Sequence, residues 1–79
     1  MKVTIEDILK ANEFISPLIK QTDLDKSVSA SKMFGGEVYF KYENAQFTGS
    51  FKLRGALNKI NSLTADERKR GVVASSAGN

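Results

Sequence analysis

The chain has 79 residues, neither cysteine nor histidine, and twelve Lys and Arg against nine Asp and Glu for a net charge of +3. One small domain is the most this length supplies, and a chain of that size buries only about 60% of its unfolded surface, so its core is expected to be marginal. The two missing residue types exclude a disulfide framework and a thiolate metal site, and they leave metal-assisted hydrolysis and Ser-His catalysis unsupported from within these residues.

The first residues, Met1-Lys2-Val3-Thr4-Ile5-Glu6-Asp7, hold no long apolar run. Neither a signal peptide nor a membrane span is expected, and the expectation is a cytoplasmic chain. Thr4 is the N-cap of a predicted helix over residues 4–15, with acids in its first turn and Ile5, Ile8, Leu9, Asn12 and Ile15 on one stripe. Ser16-Pro17 ends it, because the residue before proline is pushed away from the α region. An irregular stretch with Thr22, Asp23 and Asp25 follows. A short helix over residues 27–34 is closed by Gly35 in the left-handed cap. The pair Gly35-Gly36 precedes a strand, not a helix, and is read as a helix stop with no phosphate-binding helix N-terminus behind it.

Residues 37–43 alternate, with Val38, Phe40 and Tyr42 on one face and Glu37, Tyr39, Lys41 and Glu43 on the other, and predict a strand. Residues 44–49 form a loop. Ser50 is then expected to cap a helix whose Leu53, Leu57, Ile60 and Leu63 follow the spacing of a buried face. Thr64-Ala65-Asp66-Glu67 is a capping box for one to two further helical turns that Gly71 closes. Residues 72–75 predict a short buried strand. Strand, helix, helix, strand is the order of a parallel α/β unit, in which ligands collect beyond the carboxyl ends of the strands. Arg68-Lys69-Arg70, the one basic cluster, is assigned to a helix C-terminus where cations offset the macrodipole, so nucleic acid is not an expected partner. Glu43 and Asp66 are read as exposed acids without a catalytic task, and Arg54 as one half of a structural ion pair.

Lys52 is the residue with chemical potential. It lies off the Leu53 stripe, between the glycine-containing run Thr48-Gly49-Ser50 and the first turn of a helix. There the positive end of the macrodipole disfavours an ammonium and favours a nucleophilic amine. The chemistry that most often uses such a lysine is Schiff-base formation with an aldehyde, above all that of pyridoxal phosphate. Position alone leaves the alternative of an ordinary solvated lysine open.

Two further stretches, Lys41-Tyr42-Glu43-Asn44-Ala45-Gln46 and Ser75-Ser76-Ala77-Gly78-Asn79, stand on either side of Ser50-Phe51-Lys52-Leu53-Arg54-Gly55-Ala56. In this order the three resemble the N-terminal part of the fold-type II pyridoxal-phosphate enzymes, the threonine (serine) dehydratase and serine racemase branch. The resemblance implies an α/β chain of the tryptophan synthase β-like fold. Residues 1–79 are then expected to be an incomplete N-terminal part of a two-domain enzyme, with no complete domain boundary inside them. It implies that Lys52 is catalytic, first as the Schiff-base lysine and then as the base that takes the substrate's α-proton. Phe51 would pack against the cofactor. Ser76, Gly78 and Asn79 would receive the substrate carboxylate, and the Asn79 amide would also reach the cofactor's ring oxygen. Lys52 and Asn79 are expected to converge on one crevice.

Two departures qualify the resemblance. The family's usual Thr-Pro-Leu step is Thr22-Asp23-Leu24 here, which frees one φ angle and touches no chemistry. Ala77 stands where serine racemases carry a second serine, and an alanine cannot shuttle a proton on the opposite face of the substrate. The function so implied is α,β-elimination of a small hydroxy amino acid, threonine or serine, to a 2-oxo acid and ammonia. The intact enzyme is expected to be a homo-oligomer, and these residues alone are expected to be inactive. The alternatives are a serine racemase or β-replacing enzyme of the same fold, and a non-catalytic truncated product that makes no Schiff base.

Overall fold

The computed structural model describes residues 1–76. Helix α1 (Ile5–Ile15) starts as expected, with Thr4 in extended backbone and a reciprocal capping box between Thr4 and Asp7. It ends at Ile15, where expected, but not by the expected backbone angles. Ser16 keeps right-handed helical angles before Pro17, and the chain tightens into a 3-10 turn, Ser16–Leu18. Pro17 lacks an N–H, so the α ladder stops there while its fixed φ still suits a helical first position.

The stretch expected to be irregular contains strand β1 (Leu24–Lys26), followed by helix α2 (Val28–Phe34) and strand β2 (Tyr39–Lys41). The two strands pair antiparallel, Leu24 with Lys41, Asp25 with Phe40 and Lys26 with Tyr39. Ser27 N–H to Val38 O (2.8 Å) and Tyr42 N–H to Asp23 O (3.0 Å) extend the pairing at both ends. Serines tie the helix into this unit. Ser27 Oγ caps α2 by accepting from Ala30 N–H, and Ser31 Oγ accepts from Val38 N–H at 2.9 Å. Gly35 closes α2 at φ 75°.

Helix α3 (Lys52–Ser62) and helix α4 (Ala65–Arg70) follow. The cap expected from Ser50 is displaced. Phe51 occupies the N-cap position with no side-chain cap, and Ser50 Oγ makes only a long 3.4 Å contact with Lys52 N–H. Helix α4 has its predicted capping box between Thr64 and Glu67 and ends at Gly71, φ 87° and ψ −177°.

Two expectations about the sheet are corrected. Residues 72–75 form no strand among the described residues, and Val73 is fully exposed. A strand needs a neighbour's ladder, and β2 is paired with β1 in an antiparallel sheet, so the parallel unit does not form over these residues. The alternation around β2 is likewise not expressed as burial, because Tyr39, Phe40 and Tyr42 all remain exposed.

α1 lies against α3, and Ile8, Ala11, Ile15, Gly55 and Asn58 line the cleft between them. Ile15 is the buried apolar side chain among the described residues, with Thr22 and Gln46 the buried polar ones. The radius of gyration, 16.2 Å, exceeds the roughly 12 Å of a compact chain this long. Large apolar side chains such as Phe34, Phe47 and Phe51 lie open. Polar contacts therefore carry much of what orders the chain.

At Gly35 and at Gly36 an added Cβ meets nothing within 4 Å, and only Gly35 has a positive φ. Gly35→Ala is expected to cost about 1 kcal/mol through backbone strain alone. Gly36→Ala is expected to fall within measurement error. Urea denaturation midpoints of the two variants test the difference.

Candidate active site

The lysine singled out in the sequence is the first residue of α3. Its side chain is exposed, and among the described residues its Nζ makes no hydrogen bond or ion pair, whereas Lys26 pairs with Glu37 and Lys41 donates to the Thr22 carbonyl. Phe51 stands immediately before it with its ring exposed. An open primary amine beside an open aromatic face suits an aldehyde on a flat ring, because the amine bonds the carbonyl carbon while the ring packs against a π surface.

What holds α3 in place begins at the end of β2. There the chain makes a 3-10 turn, Glu43–Ala45, that directs the Glu43 side chain inward. The Thr22 hydroxyl donates to Glu43 Oε1 at 2.6 Å. Arg54, in the first turn of α3, donates from Nε to Oε2 at 2.8 Å and from Nη2 to Oε1 at 3.3 Å. Glu43 is 14% exposed and Arg54 34%. A forked, charge-assisted pair with a third donor from a buried threonine has more geometric definition than a surface ion pair. The Arg54 and Thr22 hydrogen bonds, in that order, hold the Glu43 carboxyl down to about 2. The Arg54 guanidinium is raised in turn by the carboxylate it bonds.

Gln46 closes the same loop. Its amide accepts from Lys20 N–H at 3.0 Å and donates to Lys20 O at 2.7 Å, imitating a strand pair with one side chain. Lys41 and Tyr42 add contacts to Thr22 and Asp23. Residues 41–46 are thus fastened at several points to residues 20–23, and through Arg54 to the helix that carries Lys52.

Against the sequence reading, Arg54 does form the structural ion pair assigned to it. Glu43 is not the exposed, unengaged acid expected; two side chains, Thr22 and Arg54, make three hydrogen bonds to its carboxylate. Gln46 and Thr22 carried no signal in sequence beyond their types, since their partners lie twenty or more residues away. Ser76 is exposed and lies in no regular element. Ala77, Gly78 and Asn79 lie outside the described residues, and with them the expected convergence of Lys52 and Asn79.

Residues 15–79 match a protein-family model described as pyridoxal-phosphate dependent enzyme. The chain is similar to L-threonine ammonia-lyase of Thermotoga maritima, 53% identical over 77 residues that cover 98% of this chain and 19% of that protein. It is 47% identical to the catabolic L-threonine dehydratase TdcB of Escherichia coli K12 over 79 residues, 100% of this chain and 24% of that one. TdcB of Staphylococcus aureus USA300 is 50% identical over 78 residues, 98% of this chain and 22% of its own. The chain spans about a fifth to a quarter of the length of the curated relatives it matches.

The depressed Glu43 carboxyl gives a pH signature. Its folded value lies below the ordinary carboxylate value of 4.5, so the stability it contributes is fully present above about pH 4.5 and is lost as pH falls toward 2. Denaturation midpoints of the parent and Glu43→Gln are expected to differ most above pH 4.5 and to converge near pH 2. A gap independent of pH would contradict the assignment.

Proposed function

This chain belongs to the pyridoxal-phosphate dependent enzyme family, and from that membership we propose that it supplies the lysine-bearing part of a threonine/serine dehydratase. The observation that carries the reading is Lys52 itself: an exposed amine at the first position of α3, without a partner among the described residues and flanked by exposed Phe51. When bound, pyridoxal phosphate supplies an aldehyde that condenses with amines and a protonated ring that accepts the electrons left at the substrate's α-carbon.

Lys52 Nζ would hold that aldehyde, and as a free amine it would take the α-proton of the bound amino acid and keep it near the β-carbon, where a hydroxyl must leave as water. Phe51 packs against the ring and keeps bulk water from one side of it. Ser76, Gly78 and Asn79 receive the substrate carboxylate through backbone N–H, hydroxyl and amide donors, and the Asn79 amide also serves the ring oxygen. The net reaction converts threonine or serine to a 2-oxo acid and ammonia. Ala77 lacks a hydroxyl for the opposite face of the substrate, which favours elimination over the two-base racemisation of the alternative reading.

The remaining features belong to the same proposal. The chain is the N-terminal part of a longer two-domain, homo-oligomeric, cytoplasmic enzyme, a reading supported by the share of its relatives that it spans and by the apolar side chains it leaves open. Its partner is a small hydroxy amino acid; no nucleic acid or membrane enters. Among the described residues no helix is long and apolar enough to cross a membrane.

In the full-length enzyme, Lys52→Ala is expected to lower 2-oxo acid formation from L-threonine by about 1,000-fold or more while the variant stays folded. Parental turnover by that variant would overturn the role of Lys52. Inversion of L-serine to D-serine as the main outcome would favour the racemase.

A further inference from the structure

We propose that Glu43, held by Thr22 and gripping the Nε–Nη2 edge of Arg54, is a positioning residue that sets the rotation of α3 about its axis and so the direction in which Lys52 presents its amine. The proposal rests on the lysine chemistry proposed above. It adds a residue to the machinery that touches neither cofactor nor substrate.

The first turn of α3 has little else to orient it. Phe51 offers no side-chain cap, Ser50 Oγ stands 3.4 Å from Lys52 N–H, and Arg54 N–H reaches Phe51 O at 3.3 Å. Packing adds only a shallow constraint, α1 resting on α3 near Gly55 and Asn58. Leu53 and Leu57 are only half-buried, and Ile60 is exposed. A helix with a shallow apolar seat can roll at modest cost. The bond from Arg54 Nε to Glu43 Oε2 at 2.8 Å, with Nη2 to Oε1 at 3.3 Å, is the firmest side-chain contact in that turn.

Helical geometry converts that grip into a direction for the lysine. Residues advance by about 100° each, so Lys52, two positions before Arg54, projects about 160° away from it around the axis. Fixing Arg54 inward on Glu43 therefore turns Lys52 outward to the opposite side, where its side chain is exposed. The anchor itself is fixed from behind. Thr22 is buried and donates to Glu43 at 2.6 Å, and Gln46 ties the same loop to Lys20 with two hydrogen bonds. Rotation at α3 would have to break a fork whose other end is fastened to the segment leading into β1. A lysine at position 54 would keep the charge and lose the fork, which makes it the informative substitution.

The test uses the full-length enzyme stripped of cofactor, with pyridoxal phosphate as probe, and compares parent, Arg54→Lys and Thr22→Val. Borohydride trapping at timed intervals, followed by mass analysis of the Lys52 peptide, gives the rate at which the amine captures the aldehyde. Thermal unfolding of the cofactor-free proteins reports stability separately. Both variants are expected to stay folded and to trap about 10- to 100-fold more slowly, with kcat for L-threonine lowered and KM changed little, since a misplacement near 1 Å suffices for such losses. Parental trapping rates and kcat in both variants, beside a lowered unfolding temperature, would reduce the cluster to a structural one and overturn the proposal. A parent that never traps on Lys52 would overturn the lysine chemistry and this proposal together. Should Arg54→Lys fail to fold, Thr22→Val, which leaves the Arg54 fork intact and loosens only its anchor, decides on the same readouts.

Discussion

The carboxylate of Glu43 is the point on which the arrangement of this chain depends. It joins the first turn of α3 to two segments, the stretch before β1 and the turn after β2, that strand pairing and Gln46 already hold side by side. Ionic groups so placed usually contribute little net stability, because desolvation offsets attraction. Here the setting differs, since Ile15 is the buried apolar residue among those described and the helices rest on one another shallowly. Where apolar burial is scarce, directional contacts decide which way elements face. Glu43, Thr22, Arg54 and Gln46 together do for orientation what a core does elsewhere.

That division explains what could be read from sequence. Local signals were legible because their physics is local. Thr4 with Asp7 and Thr64 with Glu67 satisfy helix N-termini within four residues, and Gly35 and Gly71 end helices by adopting angles that side chains resist. The position of Lys52 at the start of a helix was legible from its neighbours in sequence. The non-local pieces were not. Leu24-Asp25-Lys26 is too short and too polar to announce a strand, and it forms one because residues 39–41 lie alongside. Residues 72–75 have a strand's composition but no ladder to join. Glu43 looked like any surface acid until the 3-10 turn at the end of β2 aimed it at Thr22 and Arg54.

The serines of α2 show the same lesson in miniature. Their abundance weakens the helix by propensity, yet Ser27 caps it and Ser31 holds the incoming strand through Val38 N–H. Residue types that look unfavourable in a one-dimensional pattern become anchors once the partner segment is in place. The proposed chemistry is then laid on this frame, with the Lys52 amine and the exposed Phe51 ring side by side at the start of α3.

Of the chain's nine lysines, Lys52 is the one proposed to carry the cofactor. Peptide mapping of the full-length protein after equilibration with pyridoxal phosphate and borohydride reduction tests it directly. One reduced cofactor per chain is expected, carried on the peptide containing Lys52. Label spread over surface lysines such as Lys32 and Lys59, or concentrated on a lysine other than Lys52, would contradict it.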